Sequence, residues 1–233
     1  MDRLAEAASQ ALWLLITGDP QLWHIIGISF GVSLRAILFA APPALLLALA
    51  LAYGGFPGRR ALVGLFNALL SLPAVVVGLV LYMLLSRSGP LGEWELLFSQ
   101  HAMVIGQMVL AFPILVAMGH SALQNADRRA WETALTLGAP PWRAVLTLMF
   151  QVRFALLAAV IAAFGRVVSE VGCAMMVGGN ILDFTRNITT AIALETSKGA
   201  FAQGIALGGV LMLLAVALNA GLTVAQGRGE MQS

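Results

Sequence analysis

Charge is scarce in this chain. Only 10% of its 233 residues are Asp, Glu, Lys or Arg. Soluble domains carry about 25%, so a water-facing surface of this size is excluded. Lysine is almost missing, with Lys198 alone, and no Gly-rich run precedes it. A nucleotide-binding phosphate loop needs Gly-x4-Gly-Lys-Ser/Thr, with the lysine on the phosphates, so the chain is not expected to hydrolyse ATP itself. The single cysteine, Cys173, excludes an internal disulfide and a Cys-rich metal site. His24, His101 and His120 are scattered and have no metal-ligand spacing, so no metal is expected and each is read as a packing or interface residue. A net charge of +2 gives no reason to expect nucleic acid as a partner. The roughly ten-residue alternating segments of a membrane β-barrel are also missing.

What is present is apolar. Hydrophobic residues make up 60% of the chain and mean hydropathy is +0.90. Long uninterrupted runs imply an all-α, multi-pass membrane protein, because a helix satisfies its own backbone in lipid. The stretch from Met1 to Ile16 has Asp2 and Glu6 where a signal peptide has basic residues. Leu4, Ala8, Leu12 and Leu15 share one face, so residues 1–20 are expected to form an amphipathic helix at the lipid interface. Trp13 and Trp23 would be its belt residues.

A single membrane core follows over residues 25–225, with about five spans of the required length. The first runs from about Ile25 to Tyr53 and is expected to kink or unwind at Pro42-Pro43. The second runs from about Ala61 to Leu85 around Pro73, and the third from about Ala102 to Leu123 around Pro113. The fourth runs from about Leu146 to Val168, with Arg153 two turns inside, and the last from about Phe201 to Val224. Arg35 is expected to snorkel to the outer headgroups, with an anion contact as the alternative. Arg59, Arg60, Arg128, Arg129, Arg143 and Arg228 fall on one side and Arg3, Arg87, Arg186 and Lys198 on the other. The positive-inside rule then puts the N-terminus outside and the C-terminus in the cytoplasm.

Between the third and fourth spans lies Asn125 to Arg143, a polar, helix-forming loop too short for a core of its own. Asp127 can cap a helix start. Trp131 and Leu135 share a face, Gly138 suits a helix end with positive φ, and Pro140-Pro141 restart the next helix. From the residues alone, an ordinary basic loop is equally open. Glu132-Thr133-Ala134, three residues, then Gly138 resembles the EAA-x3-G loop of ABC-importer permease subunits. The family pattern continues with Leu-Pro, where this chain has Phe150-Gln151, and Thr133 replaces the middle Ala. The resemblance implies that residues 125–143 are the cytoplasmic coupling helices docking on an ATP-hydrolysing subunit. Asp127, Glu132, Thr133, Ala134, Gly138 and Ala139 would be the coupling residues.

A second unusual stretch is Ser169 to Gly199, neither a clean span nor a soluble loop. Irregular backbone at membrane depth is tolerated only where protein buries it or water lines it. Ser169, Thr185, Thr189, Thr190 and the N–H groups of Gly178 and Gly179 offer donors for an oxyanion; an external loop packed on the bundle is the alternative. Arg166 and Glu170, one turn apart, are expected to form a structural ion pair. Ser-Glu-Val-Gly followed by Gly178-Gly179-Asn180-Ile181 resembles the corresponding segment of molybdate and sulfate permeases. Asn187 to Ile192 and Glu195 to Gly199 look most like tungstate permeases.

The resemblance implies a type I ABC-importer permease fold in the inner membrane. It also implies a second copy of the chain as a homodimer and an ABC ATP-binding subunit holding ATP and Mg. An extracytoplasmic oxyanion-binding protein would deliver tungstate or, alternatively, molybdate or sulfate. The competing classes are an ion-coupled secondary transporter, an intramembrane enzyme and a non-transporting assembly subunit. The first would bury acids in its spans and often shows internal repeats. Here Glu170 is the one acid near a span. The second would need a nucleophile paired with a base, and adjacent Ser169 and Glu170 make no such pair.

Overall fold

The computed structural model describes residues 13, 16–126 and 128–230. Trp13 and Trp23 are exposed; Leu4, Ala8, Leu12 and Leu15 of the expected amphipathic helix lie outside the described residues. Among the described residues every regular element is helical.

α1 (Pro20–Tyr53) starts where Asp19 accepts the Leu22 N–H at 2.8 Å and Pro20 takes the first helical position. Its 34 residues run through Pro42 and Pro43 without a break, so the expected unwinding does not occur. At about 1.5 Å per residue it is roughly 50 Å long and must tilt or protrude. Ala36, Ala40, Ala44 and Ala48 recur every fourth residue and are all buried. Small side chains let helices approach closely where lipid supplies no hydrophobic drive. They face α4 (Gln100–Gln124), where a Cβ on Gly119 would stand 3.1 Å from that of Ala48. This α1–α4 pair is the centre of the bundle.

Two expected spans are not single helices. The second divides into α2 (Arg59–Leu69) and α3 (Ala74–Leu85), bent by 100°. Pro73 is the cause: it lacks an N–H and drives the preceding residue out of helical backbone. It is itself extended and begins α3. The Arg59 guanidinium reaches back to the carbonyls of Leu51 and Ala52, closing the C-terminus of α1.

The expected fourth span divides at Val152 into α6 (Pro141–Gln151) and α7 (Arg153–Val168), bent by 70°. α5 (Arg128–Thr136) precedes them. Arg153 therefore stands at the bend, not two turns inside a span. It donates to the Phe150 carbonyl at 2.8 Å and lies over the rings of Phe150 and Phe154.

Beyond α7 come two short helices, α8 (Gly172–Gly178) and α9 (Ile188–Ser197), and then α10 (Phe201–Glu230). Among the described residues α1, α4 and α10 are long and apolar enough to cross a bilayer. The count reaches five only when each bent pair is taken as one span.

Candidate functional site

Chemistry-bearing residues gather in two places. One is the α5–α6 hairpin at one end of the bundle. Gly138 has φ +82, donates its N–H to the Leu135 carbonyl at 3.0 Å, and has open space where a Cβ would stand. Leu137 N–H and Thr136 Oγ1 both reach the Thr133 carbonyl, at 3.0 and 2.9 Å. Pro141 opens α6 and Pro140 precedes it in extended backbone. Glu132, Thr133 and Gly138 are exposed, Ala139 is half-buried, Ala134 lies within α5, and Asp127 lies outside the described residues.

The inner side of the hairpin is fastened. Trp131 stacks on Tyr53 with centroids 5.8 Å apart, and the Tyr53 hydroxyl donates to the Leu123 carbonyl at 2.9 Å. Leu148 is fully buried, clustered with Ala48, Ala52 and Leu123. The outer side is bare: Leu137 is 82% exposed, Trp142 58% and Leu146 55%. Exposed apolar side chains at a turn mark a surface that meets another protein or the membrane. Arg143 lies over the Trp142 ring at 5.1 Å.

The other place is the break between α7 and α8. Glu170 is buried and joins three helices. One carboxylate oxygen pairs with Arg166 at 2.9 Å, and the other accepts the Cys173 N–H at 3.0 Å, holding the start of α8. Its carbonyl accepts the Thr189 hydroxyl from α9 at 2.7 Å. Ser169 is exposed, donates back to the carbonyls of its own helix, and lines a groove of about 320 Å³ between α7 and α10.

The remaining candidate donors are engaged within the chain. Thr185 is fully buried, donates to the Gly178 carbonyl at 2.5 Å and accepts the Ile181 N–H at 2.9 Å. Thr190 and Asn187 form a capping box at the start of α9. The Gly179 N–H is bound to the Met175 carbonyl at 3.1 Å. A Cβ on Gly178 would meet Met103 Sδ at 2.8 Å, and one on Gly179 would meet the Phe98 ring at 2.7 Å. These two glycines let α8 pack closely. So Ser169, Glu170 and Thr189 come together, whereas Thr185, Thr190 and the glycines build the turn that follows α8.

That turn is pinned from the far side of the bundle, which sequence reasoning missed. His24 Nε2 lies 3.1 Å from the Asp183 carbonyl, and the Ile188 N–H donates to Ser29 Oγ at 2.7 Å. Arg35 donates to Gln100 at 2.6 Å, and Gln100 donates to the Phe184 carbonyl at 2.8 Å. Arg35 is thus engaged with the first residue of α4. The available signal was the presence of polar residues, His24, Ser29 and Arg35, on an otherwise apolar helix.

Residues 44–224 match the sequence profile of the binding-protein-dependent transport system inner membrane component family. The tungstate uptake system permease protein TupB of Campylobacter jejuni is 41% identical over 219 residues, 94% of this chain and 92% of that one. The protein of the same name from Peptoclostridium acidaminophilum is 37% identical over 94% of this chain and 96% of its own length. Among solved structures, a bacterial ABC transporter involved in import of the acidic polysaccharide alginate superimposes with a TM-score of 0.68. It is 17% identical, over 94% of this chain and 82% of that chain.

Proposed function

The chain belongs to the binding-protein-dependent transport system inner membrane component family, and from that premise we propose that it is the membrane subunit of an ATP-driven tungstate importer. The observation that carries this reading is the α5–α6 hairpin. Its inner face is locked to α1 and α4 by Trp131, Tyr53 and Leu148, while its outer face presents Leu137, Trp142 and Leu146. That is the build of a lever. A partner that grips the outer face moves the ends of the two central helices. The partner is an ATP-binding subunit, which supplies the ATP and Mg chemistry that this chain lacks.

The hairpin end faces the cytoplasm and the N-terminus lies outside, in line with the arginine bias. An extracytoplasmic binding protein delivers the anion to the opposite end. Two copies related by a two-fold axis enclose the pathway between them. Molybdate and sulfate are the alternative cargoes. The chain with its ATP-binding subunit should purify as a two-plus-two complex whose ATPase activity rises with tungstate-loaded binding protein. A complex indifferent to the loaded binding protein contradicts the reading.

A further inference from the structure

Glu170 occupies only part of an unusual arginine. Arg166 stands in the last turn of α7 with its side chain 43% exposed, while the Glu170 side chain beside it is 6% exposed. The guanidinium has five N–H donors, and among the described residues its acceptor is a single Glu170 oxygen at 2.9 Å. Its depth matters. Along α7 it stands roughly 20 Å from Arg153 at the hairpin end, at about 1.5 Å per residue. On the other side the two turns of α8 separate Glu170 from the Val177–Phe98 hydrogen bond that fastens α8 to the loop before α4. With the bent α6–α7 pair taken as one span, both charges fall within a hydrocarbon core of about 30 Å.

A cation exposed at that depth faces water or protein, not lipid. Snorkelling is closed to it, because the buried carboxylate holds the guanidinium in place. Ser169, Val171 and Met175, close to it in sequence across the α7–α8 break, are also exposed.

We propose that Arg166 is the cationic contact of the oxyanion in transit, with Glu170 as the residue that positions it. The inference rests on the oxyanion-importer reading above and names the residue that acts in it. The planar fork matches two oxygens of a tetrahedral anion. The neighbouring carboxylate offsets part of the charge, so contact is brief and release follows. The hydroxyls of Thr185, Thr189 and Thr190 are committed to the fold and need not leave it.

The test is ATP-driven uptake of tungstate into proteoliposomes containing the chain, its ATP-binding subunit and the loaded binding protein. Removing either charge alone strands its partner, so the deciding variant is the double replacement Arg166→Gln with Glu170→Gln. It leaves two neutral groups able to hydrogen-bond to each other. We expect it to keep the wild-type unfolding midpoint and to transport about tenfold more slowly or worse, the loss expected for a charge-assisted hydrogen bond. Arg166→Lys keeps the charge and the bond to Glu170 but loses the fork, and uptake should fall roughly three- to tenfold. Wild-type uptake by either variant overturns the inference and leaves Arg166 a structural partner only. If wild-type liposomes take up no oxyanion under ATP, the importer reading itself fails, and the inference with it.

Discussion

Gly138→Val isolates a single physical effect. The glycine sits at φ +82 with nothing within 4 Å of the position a Cβ would take. A side chain there meets no neighbour, so its whole cost is backbone strain. Left-handed backbone costs an L-residue about 1–2 kcal/mol, and more for a β-branched one. At about 1.4 kcal/mol per factor of ten, the formed turn should lose roughly five- to thirtyfold or more in population. The α5–α6 angle depends on that turn, while Trp131 and Leu148 still hold each helix to the bundle. The expected result is a folded complex that binds nucleotide on its ATP-binding subunit but loses most uptake. Gly138→Asn, a residue that tolerates left-handed backbone, should keep most of it. Normal transport by Gly138→Val, or equal loss with Asn and Val, would refute the strain account.

Leu148→Ala should lower stability by about 2–5 kcal/mol, because Leu148 is fully buried against α1 and α4; thermal unfolding in detergent measures it. Thr189→Val removes the donor to the Glu170 carbonyl and should cost about 1–3 kcal/mol, read as a lower unfolding midpoint. An unchanged midpoint would mean that the hydroxyl is free to serve the anion. Tyr53→Phe deletes the bond to Leu123 while keeping the stack on Trp131, and should cost only about 0.5–1.5 kcal/mol. Mass measurement of the purified complex should find two copies of this chain, and one copy in a transporting complex would contradict the two-fold pathway.

The hairpin was readable because its determinants are local. A positive-φ glycine, two prolines and a face of Trp131 and Leu135 act within a few residues of one another. The bend at Pro73 was half legible: the proline is plain, but whether it kinks a helix or ends it depends on packing around the break. The bend at Val152 carries no proline or glycine, so periodicity ran the two helices together. The roles of the hydroxyls were illegible. Thr185, Thr189 and Thr190 are suitable oxyanion donors by type, yet the carbonyls that Thr185 and Thr189 serve, on Gly178 and Glu170, become neighbours only when α8 and α9 are in place, while Thr190 closes the local capping box with Asn187. Arg35 and Gln100 show the same limit, being 65 positions apart in sequence. The Arg166–Glu170 pair, by contrast, is four residues apart across the end of α7 and could be read directly.

If ATP hydrolysed by a partner drives an oxyanion through this chain, the energy source is read by tungstate uptake into proteoliposomes holding the full complex, with and without internal ATP, and with ionophores that collapse proton and sodium gradients. Uptake should require ATP and the binding protein and be unchanged by the ionophores. Uptake that persists without ATP and disappears with the gradients would contradict ATP as the driver.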